Sequence, residues 1–192
     1  MIKWIAEQRG IPWLVHFTLI DNLPGIVEHG LLSRETLEKR GYMFCRSDPW
    51  RLDECEAAVS VSIYSVNAVF ETKRNNNGRA DWVVLYLRRD ILWTHKCLFA
   101  WRNAARNEIK YPRFERDGPW AFSKMFEGSD EERNGRPPWC PTDAEAEVQV
   151  LEPIARDCIL GAGVERREVG EWVSTILKRL PGEKRLVEVV AF

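Results

Sequence analysis

From Thr142 the chain reads Thr-Asp-Ala-Glu-Ala-Glu-Val-Gln-Val-Leu, and from Ala144 small or apolar residues alternate with polar ones. In an extended strand that period of two sends Glu145, Glu147 and Gln149 to one face. Ala144, Ala146, Val148 and Val150 go to the other. Carboxylates fixed on a rigid strand can stabilise positive charge that develops during a reaction. The plainer account is a half-buried antiparallel strand with a solvated polar face, and for this run alone it is the better one. Two further polar signatures weigh against it. His16 closes an apolar run in His16-Phe-Thr, where a strand hands over to a helix, and Arg51 sits in Trp50-Arg-Leu-Asp, ahead of a Ser-x-Ser strand. Each has an ordinary explanation by itself: a satisfied histidine, and a salt bridge to Asp53 or Glu54. One site would use all three.

A second pattern suits phosphates and unpaired bases. Arg102, Arg106, Lys110, Arg113 and Arg116 crowd a stretch that also holds Trp101, Tyr111 and Phe114. Arg133 and Arg136 precede Trp139, and Lys73, Arg74 and Arg79 bracket an Asn-rich loop. Cations interleaved with aromatics can track a backbone and stack bases. Against this, 28 basic and 29 acidic side chains leave a net charge of −1. The whole-molecule field therefore gives no argument for nucleic acid, and a surface of ordinary ion pairs explains the clusters equally well. Nine tryptophans are many for the length; most belong in a core, but several fall in polar stretches where a planar ligand can use them.

Several classes are set aside by composition. The 192 residues suffice for one domain with a real core. No apolar run reaches membrane-spanning length. Charge interrupts the first ten residues, so they do not read as a signal peptide, and a cytoplasmic location is expected. The five cysteines are odd in number and lack a CxxC pair, which predicts free thiols in a reducing compartment. His16, His29 and His95 have no metal-ligand spacing, and no metal is expected.

Elements that would position the chemistry follow from local signals. Strands are predicted over 11–17, 57–63, 82–87, 144–151 and 185–190. Residues 18–22 carry helix-capping chemistry; Leu23, Ile26 and Val27 then follow helical spacing, and Gly30 is a stop. Ser33 predicts an N-cap for a helix over 34–40. Residues 42–56 read as irregular, 66–72 as a short helix or a turn, 75–78 as a turn, and 89–92 as a helical turn. The stretch 103–109 is ambiguous. Residues 128–141, with Gly128, Gly135, Pro137 and Pro138, predict a long loop without regular structure. A final amphipathic helix over 165–180 would bury Val169, Trp172, Val173, Ile176, Leu177 and Leu180. With no repeat and no linker, residues 1–192 read as a single α+β domain.

Taken in order, these pieces resemble the DarT group of DNA ADP-ribosyltransferases. The resemblance is carried by His16-Phe-Thr with Asn22-Leu-Pro-Gly-Ile, Gly30-Leu-Leu, Arg51-Leu-Asp and Val59-Ser-Val-Ser-Ile. It continues through Trp82-Val-Val-Leu, Ile91-Leu-Trp, Asn103-Ala-Ala, Met125-Phe and Pro141-Thr-Asp-Ala-Glu-Ala-Glu-Val. Any one piece is weak, whereas the ordered set is specific. Two departures bear on the acceptor. The family run after the Ser-x-Ser strand often reads Phe-Pro-Asn-Tyr, where this chain has Tyr64-Ser-Val-Asn. The residue two before the family's catalytic glutamate is often Gln, where this chain has Glu145.

The resemblance implies an ADP-ribosyltransferase-like fold, with mainly antiparallel sheets flanked by short helices. It implies transfer of ADP-ribose from NAD, as co-substrate, to a base of single-stranded DNA, by the toxin of a toxin–antitoxin system. Glu147 matches the catalytic glutamate. Arg51 matches a catalytic arginine, which we assign to orienting and polarising the base, because a guanidinium stays protonated. His16, Phe17, Thr18, Gly25 and Leu32 match NAD-binding positions, and Arg51 and Ser62 join that set. Glu145, Asn103, Arg133, Arg136 and Trp139 are expected on the DNA side, within a segment from about 99 to 147 that matches a mobile DNA-engaging loop. The implied partners are single-stranded DNA and a macrodomain-containing antitoxin, with no membrane, and the chain is expected to be a monomer. Two alternatives stay open: transfer to RNA or protein, and a non-catalytic module that binds single strands.

Overall fold

The longest uninterrupted apolar run of the chain, Trp82-Val-Val-Leu-Tyr-Leu, forms a strand at the positions expected of it, and the rest of the sheet is assembled around it. The computed structural model describes residues 1–46, 52–66, 68–76, 81–111 and 113–191. A short helix α1 (Ile2–Gln8) leads into β1 (Leu14–Leu19), a 3-10 turn at Ile20–Asn22, α2 (Leu23–His29) and α3 (Arg34–Lys39). Next come β2 (Val59–Ile63), α4 (Ala68–Asn76), β3 (Trp82–Leu87), α5 (Ile91–Thr94) and β4 (Cys97–Ala100). Then follow α6 (Asn107–Lys110), a 3-10 turn at Arg113–Arg116, α7 (Gly118–Lys124), α8 (Asp130–Arg133) and β5 (Glu147–Val150). A 3-10 turn at Arg156–Cys158, β6 (Ile159–Val164), α9 (Arg167–Leu177) and β7 (Leu186–Val189) complete the order.

The strands form one sheet in the order β4-β5-β2-β1-β3-β6-β7. Every neighbouring pair is antiparallel except β6 with β7, which is parallel. This is the expected α+β class. The join between β1 and β2 is short. β1 pairs with β3 along its whole length, from Leu14↔Leu87 to Leu19↔Trp82. It pairs with β2 only at Leu14↔Ile63 and Val15↔Ser62. Beyond Val15 the sheet therefore splits, and the gap is the place where a ligand can enter between two strands.

Packing explains the helices. Helix α9 buries Val169, Val173, Ile176 and Leu177 against β6, β7 and α2. Trp172, counted on that apolar face from spacing, is 41% exposed. Helix α7 lies on β4 and α1, with Phe122 tilted against Phe99 at 4.9 Å. The end of α2 is fixed by backbone. Gly30 has φ +81°, and a Cβ there would sit 2.5 Å from the Ile154 carbonyl oxygen. Leu31 and Ile154 exchange N–H···O bonds of 2.9 and 3.0 Å at that point. Only glycine meets both the dihedral and the contact.

Four expectations need correction. The catalytic-strand candidate is shorter than its alternation: Ala146 N–H donates to Asp143 O at 3.2 Å and Glu145 N–H to Asp143 Oδ1 at 2.7 Å. That Asx turn takes Glu145 off the strand. The polar face of β5 is only partly open to solvent: Glu147 is partly exposed, while Gln149 is fully buried and bonded to Arg116 and Asp53. Asn75 and Asn76 belong to α4 rather than to a turn; residues 77–80 lie outside the described residues. Finally, 130–133 is helical: Ser129 and Glu132 form a reciprocal capping box and Asn134 closes the turn in the left-handed region. That Ser-x-x-Glu signature is present in the sequence, and the reading of 128–141 as a loop rested on the glycines and prolines alone. Helix α1 and strand β4 were not anticipated.

Candidate active site in the split sheet

The split opens at His16. Its ring Nδ1 lies 2.9 Å from the Ser60 carbonyl oxygen of β2 and spans the gap. A carbonyl only accepts, so Nδ1 carries the proton, and in the neutral ring Nε2 is the acceptor nitrogen. Around this bridge lies a cavity of about 350 Å3. Of the positions expected to bind NAD, His16, Phe17, Thr18, Gly25 and Leu32 all line it. A Cβ added to Gly25 would meet no atom within 4 Å, so the missing side chain leaves room in the cavity rather than relieving a clash. Ser62 does not share this position. It is 4% exposed and paired with Val15 in the closed part of the seam, and Ser60 takes its place in the wall. The change follows from where the ladder ends, which alternation along β2 does not reveal.

One asparagine closes the far side. Asn22 Nδ2 donates to Thr18 Oγ1 at 2.9 Å and to Cys45 O at 2.8 Å. Its Oδ1 accepts from Cys45 N–H at 2.7 Å. This pins the irregular stretch 42–46 against the start of α2, and His29 stacks on Tyr42 at 4.2 Å and 9°. Arg34, Arg46 and Lys73 add cations to the walls, with Lys73 Nζ 5.6 Å above the Phe17 ring. Among these, Asn22 lay within a quoted motif and Lys73 within a basic cluster, but nothing in their spacing assigned them to this cavity.

Glu147 is the first residue of β5, partly exposed, paired with Ala100 of β4 and one strand beyond β2. It lies outside the cavity wall itself. Arg51 lies outside the described residues, while the segment after it is clasped firmly. Lys110 Nζ donates to Leu52 O at 3.2 Å and to Glu54 Oε1 at 2.7 Å, Tyr111 Oη donates to Glu54 Oε2, and Arg113 donates to Glu54 O at 2.9 Å. These hydrogen bonds, from Lys110 first and Tyr111 second, hold the Glu54 carboxyl below the usual carboxylate range. Glu54 also has φ +53°, which few non-glycine residues adopt.

The residues expected on the acceptor side divide in two. Glu145 and Asn103 come together: Asn103 Nδ2 and Arg106 Nη2 each donate to the Glu145 carboxylate at 3.4 Å. Exposed Tyr111, Phe114 and Trp120 lie in the same stretch, and Lys124 Nζ stands 4.0 Å over Trp101 and 4.7 Å over Trp120. Arg133 and Trp139, however, are engaged within the protein. Arg133 donates to Pro137 O at 2.7 Å, Thr142 Oγ1 at 3.0 Å and Cys140 O at 3.1 Å, and it lies 3.4 Å from the carbonyls of Phe126 and Arg136. A phosphate would have to displace those oxygens. Trp139 is partly buried, packs on the main core and meets Tyr64 edge-on at 5.8 Å. Arg136 is half-buried. Among the described residues no group of three or more His, Cys, Asp or Glu is placed to hold a metal. Burial pushes the Cys97 thiol up to about 12, so that thiol is no nucleophile.

Comparison with known proteins bears on the family and the fold. The profile of the family described as ssDNA thymidine ADP-ribosyltransferase, DarT, matches residues 15–191. Thermosipho africanus DarTG in complex with ADP-ribose is similar with a TM-score of 0.60 at 15% identity, over 92% of this chain and 49% of that one. This chain thus spans about half the length of that protein. Thermus sp. 2.9 DarT in complex with carba-NAD+ gives 0.59 at 16% identity, over 94% and 96%. The same protein in complex with ADP-ribosylated ssDNA gives 0.57 at 17%, over 94% and 95%. At such identities the likeness is one of fold. No curated protein matches the chain in sequence. A profile covering nearly the whole chain, on a sheet of the same fold, decides the family: the chain belongs to the DarT family of single-stranded-DNA thymidine ADP-ribosyltransferases.

Proposed function

We propose that the chain transfers ADP-ribose from NAD to a thymidine base of single-stranded DNA, as the toxin of a toxin–antitoxin pair. The observation that carries this reading is the cavity at the split of β1 and β2, walled by His16, Phe17, Thr18, Gly25 and Leu32, with Glu147 one strand beyond. In the reaction the bond between nicotinamide and C1′ of its ribose breaks, and nicotinamide leaves with the electron pair. A ring nitrogen of the acceptor base bonds to C1′ and gives up its proton to solvent. Glu147 accepts a hydrogen bond from a ribose hydroxyl and stabilises the oxocarbenium-like charge at C1′. Its seat on a sheet strand keeps that carboxylate in place before water can intervene. Arg51 orients and polarises the base, a task for a planar fork of donors rather than for a base. Thymine has a single ring N–H, which pairing would hide, so the acceptor must be unpaired. Glu145, steadied by Asn103 and Arg106, brackets the acceptor, and Arg136 with the exposed aromatics of 101–120 meets the strand around it.

The family resemblance supplies the biological setting: a monomer in the cytoplasm, opposed by a macrodomain-containing antitoxin that removes the ADP-ribose. Mass spectrometry of thymidine-containing and thymidine-free oligonucleotides incubated with the protein and NAD tests the reaction. We expect an ADP-ribose adduct on the thymidine-containing single strand only. An adduct confined to RNA or to protein would move the acceptor, and DNA binding without NAD turnover would favour a non-catalytic module.

A further inference from the structure

Three buried polar side chains lie beside the cleft, and the reaction as described has no use for them. Arg116 and Gln149 have no exposure, and Asp53 is 8% exposed. Arg116 Nη1 donates to Gln149 Oε1 at 2.8 Å, and Gln149 Nε2 donates to Asp53 Oδ2. The order cannot be reversed, because a guanidinium only donates and a carboxylate only accepts. The amide of Gln149 is thereby fixed in one orientation.

The chain of bonds joins three segments that meet nowhere in sequence. Arg116 ends the 3-10 turn Arg113–Arg116 on the acceptor side. Gln149 lies two residues beyond Glu147 on β5, hence on the same side of the strand. Asp53 lies two residues beyond Arg51. The arrangement is not self-sufficient. Arg116 Nε and Nη2 are buried and have no hydrogen-bond acceptor among the described residues, and leaving charged donors unmatched in a core is costly. The ionisable groups acting on Arg116 are Cys55, Glu147 and Asp53, which favour its charge, and Arg113, which opposes it. Desolvation by burial outweighs them all and lowers its pKa.

We propose that Arg116 is a positioning residue for the transfer reaction: through Gln149 it locks the strand of Glu147 to the segment that follows Arg51. The inference rests on the assignment of Glu147 as the catalytic carboxylate. Its cost in stability is tolerated because a misplacement of about 1 Å at the reacting carbon slows chemistry roughly 10²-fold.

Arg116→Met, Arg116→Lys and Gln149→Leu test this, with kcat and KM for NAD measured in DNA modification and in NAD hydrolysis without DNA, alongside thermal unfolding. For Arg116→Met we expect kcat to fall about 10²-fold while KM for NAD stays within about twofold. Arg116→Lys, which restores charge without the fork, should recover about tenfold. Gln149→Leu should reproduce the same split, and adding it to Arg116→Met should cost little more, since coupled groups are not additive. If Arg116→Met does not fold, Gln149→Leu decides alone. An unchanged kcat in either folded variant overturns the proposal. So does a loss that tracks the unfolding midpoint with no recovery in Arg116→Lys. Should the wild-type protein hydrolyse NAD but leave DNA unmodified, the DNA acceptor is wrong, while the kcat split in hydrolysis still judges Arg116. A wild-type chain that turns over no NAD overturns both.

Discussion

The cleft wall and the acceptor side sit on neighbouring strands but are held by different kinds of contact. In the wall, Asn22 reaches Thr18, four positions away, and Cys45, 23 positions away; Gly30 and Leu31 are stitched by backbone. On the acceptor side, partners are 42 positions apart for Asn103 and Glu145, 57 for Tyr111 and Glu54, and 96 for Gln149 and Asp53. The first region is held largely by backbone groups, whether the partner is near, as Ile26 is to Gly30, or distant, as Ile154 is to Leu31. The second depends on side-chain hydrogen bonds between distant segments, many of them charged. Shape in the first should survive most substitutions and pH changes, and alignment in the second should not.

The largest effect tests whether chemistry lies where the two regions meet. Glu147→Ala should lower kcat by about 10²–10³-fold with an unchanged thermal midpoint, since a partly exposed polar side chain leaves no core cavity. Unaltered turnover would remove Glu147 from the mechanism. Next, Arg133→Ala should destabilise the protein by about 2–3 kcal/mol in denaturant unfolding, because several carbonyls lose a charged donor. KM for DNA and for NAD should then move together; a loss confined to DNA would return Arg133 to the DNA surface. Asn22→Ala should raise KM for NAD about tenfold, the equivalent of ~1.4 kcal/mol, and leave kcat alone. If kcat falls instead, the stretch 42–46 does more than close the cavity.

The smallest effect is expected from pH. The folded-state pKa of Glu54 is depressed, by Lys110 first and Tyr111 second. The stabilisation from its clasp is therefore present above its unfolded value and is lost as pH falls through the depressed one. Lys110 and Tyr111 are raised by the same hydrogen bonds, so their share is lost only as pH rises through their elevated values. KM for DNA should accordingly increase a few-fold toward acid pH, on the order of one surface ion pair. Glu54→Gln should show the higher KM already at neutral pH, with a flatter acid limb. An acid limb as steep as that of the wild type would detach the clasp from DNA binding.

Much of the cleft was legible. His16-Phe-Thr, Gly25 and Leu32 carry their positions in local motifs, and Ser33 caps α3 as its type requires, accepting from Thr36 N–H. Ser62 falls outside the cavity wall because the end of a strand ladder is a tertiary fact; the side-chain period is the same on both sides of it. Alternation likewise put Glu145 on a strand, since an Asx turn keeps the polar–apolar pattern while abandoning the extended backbone. Arg116 read as one cation in a basic surface cluster. Nothing in its neighbours announces that Gln149 and Asp53 will bury it, as those partners lie 33 positions downstream and 63 upstream.

The short seam between β1 and β2 has a consequence for how such a protein can drift in sequence. Past Val15 the main chain of β1 that would have faced β2 has no ladder to complete. A ligand in that gap would meet main chain as well as side chains, and the main chain is the same whichever residues the strand carries. Proteins at 15–16% identity keep the fold, and a gap left by the end of a strand ladder belongs to the fold rather than to particular side chains. The same amides should exchange hydrogen with solvent quickly in the empty protein and slowly once NAD fills the gap, a footprint that mutation of neighbouring side chains would leave largely intact.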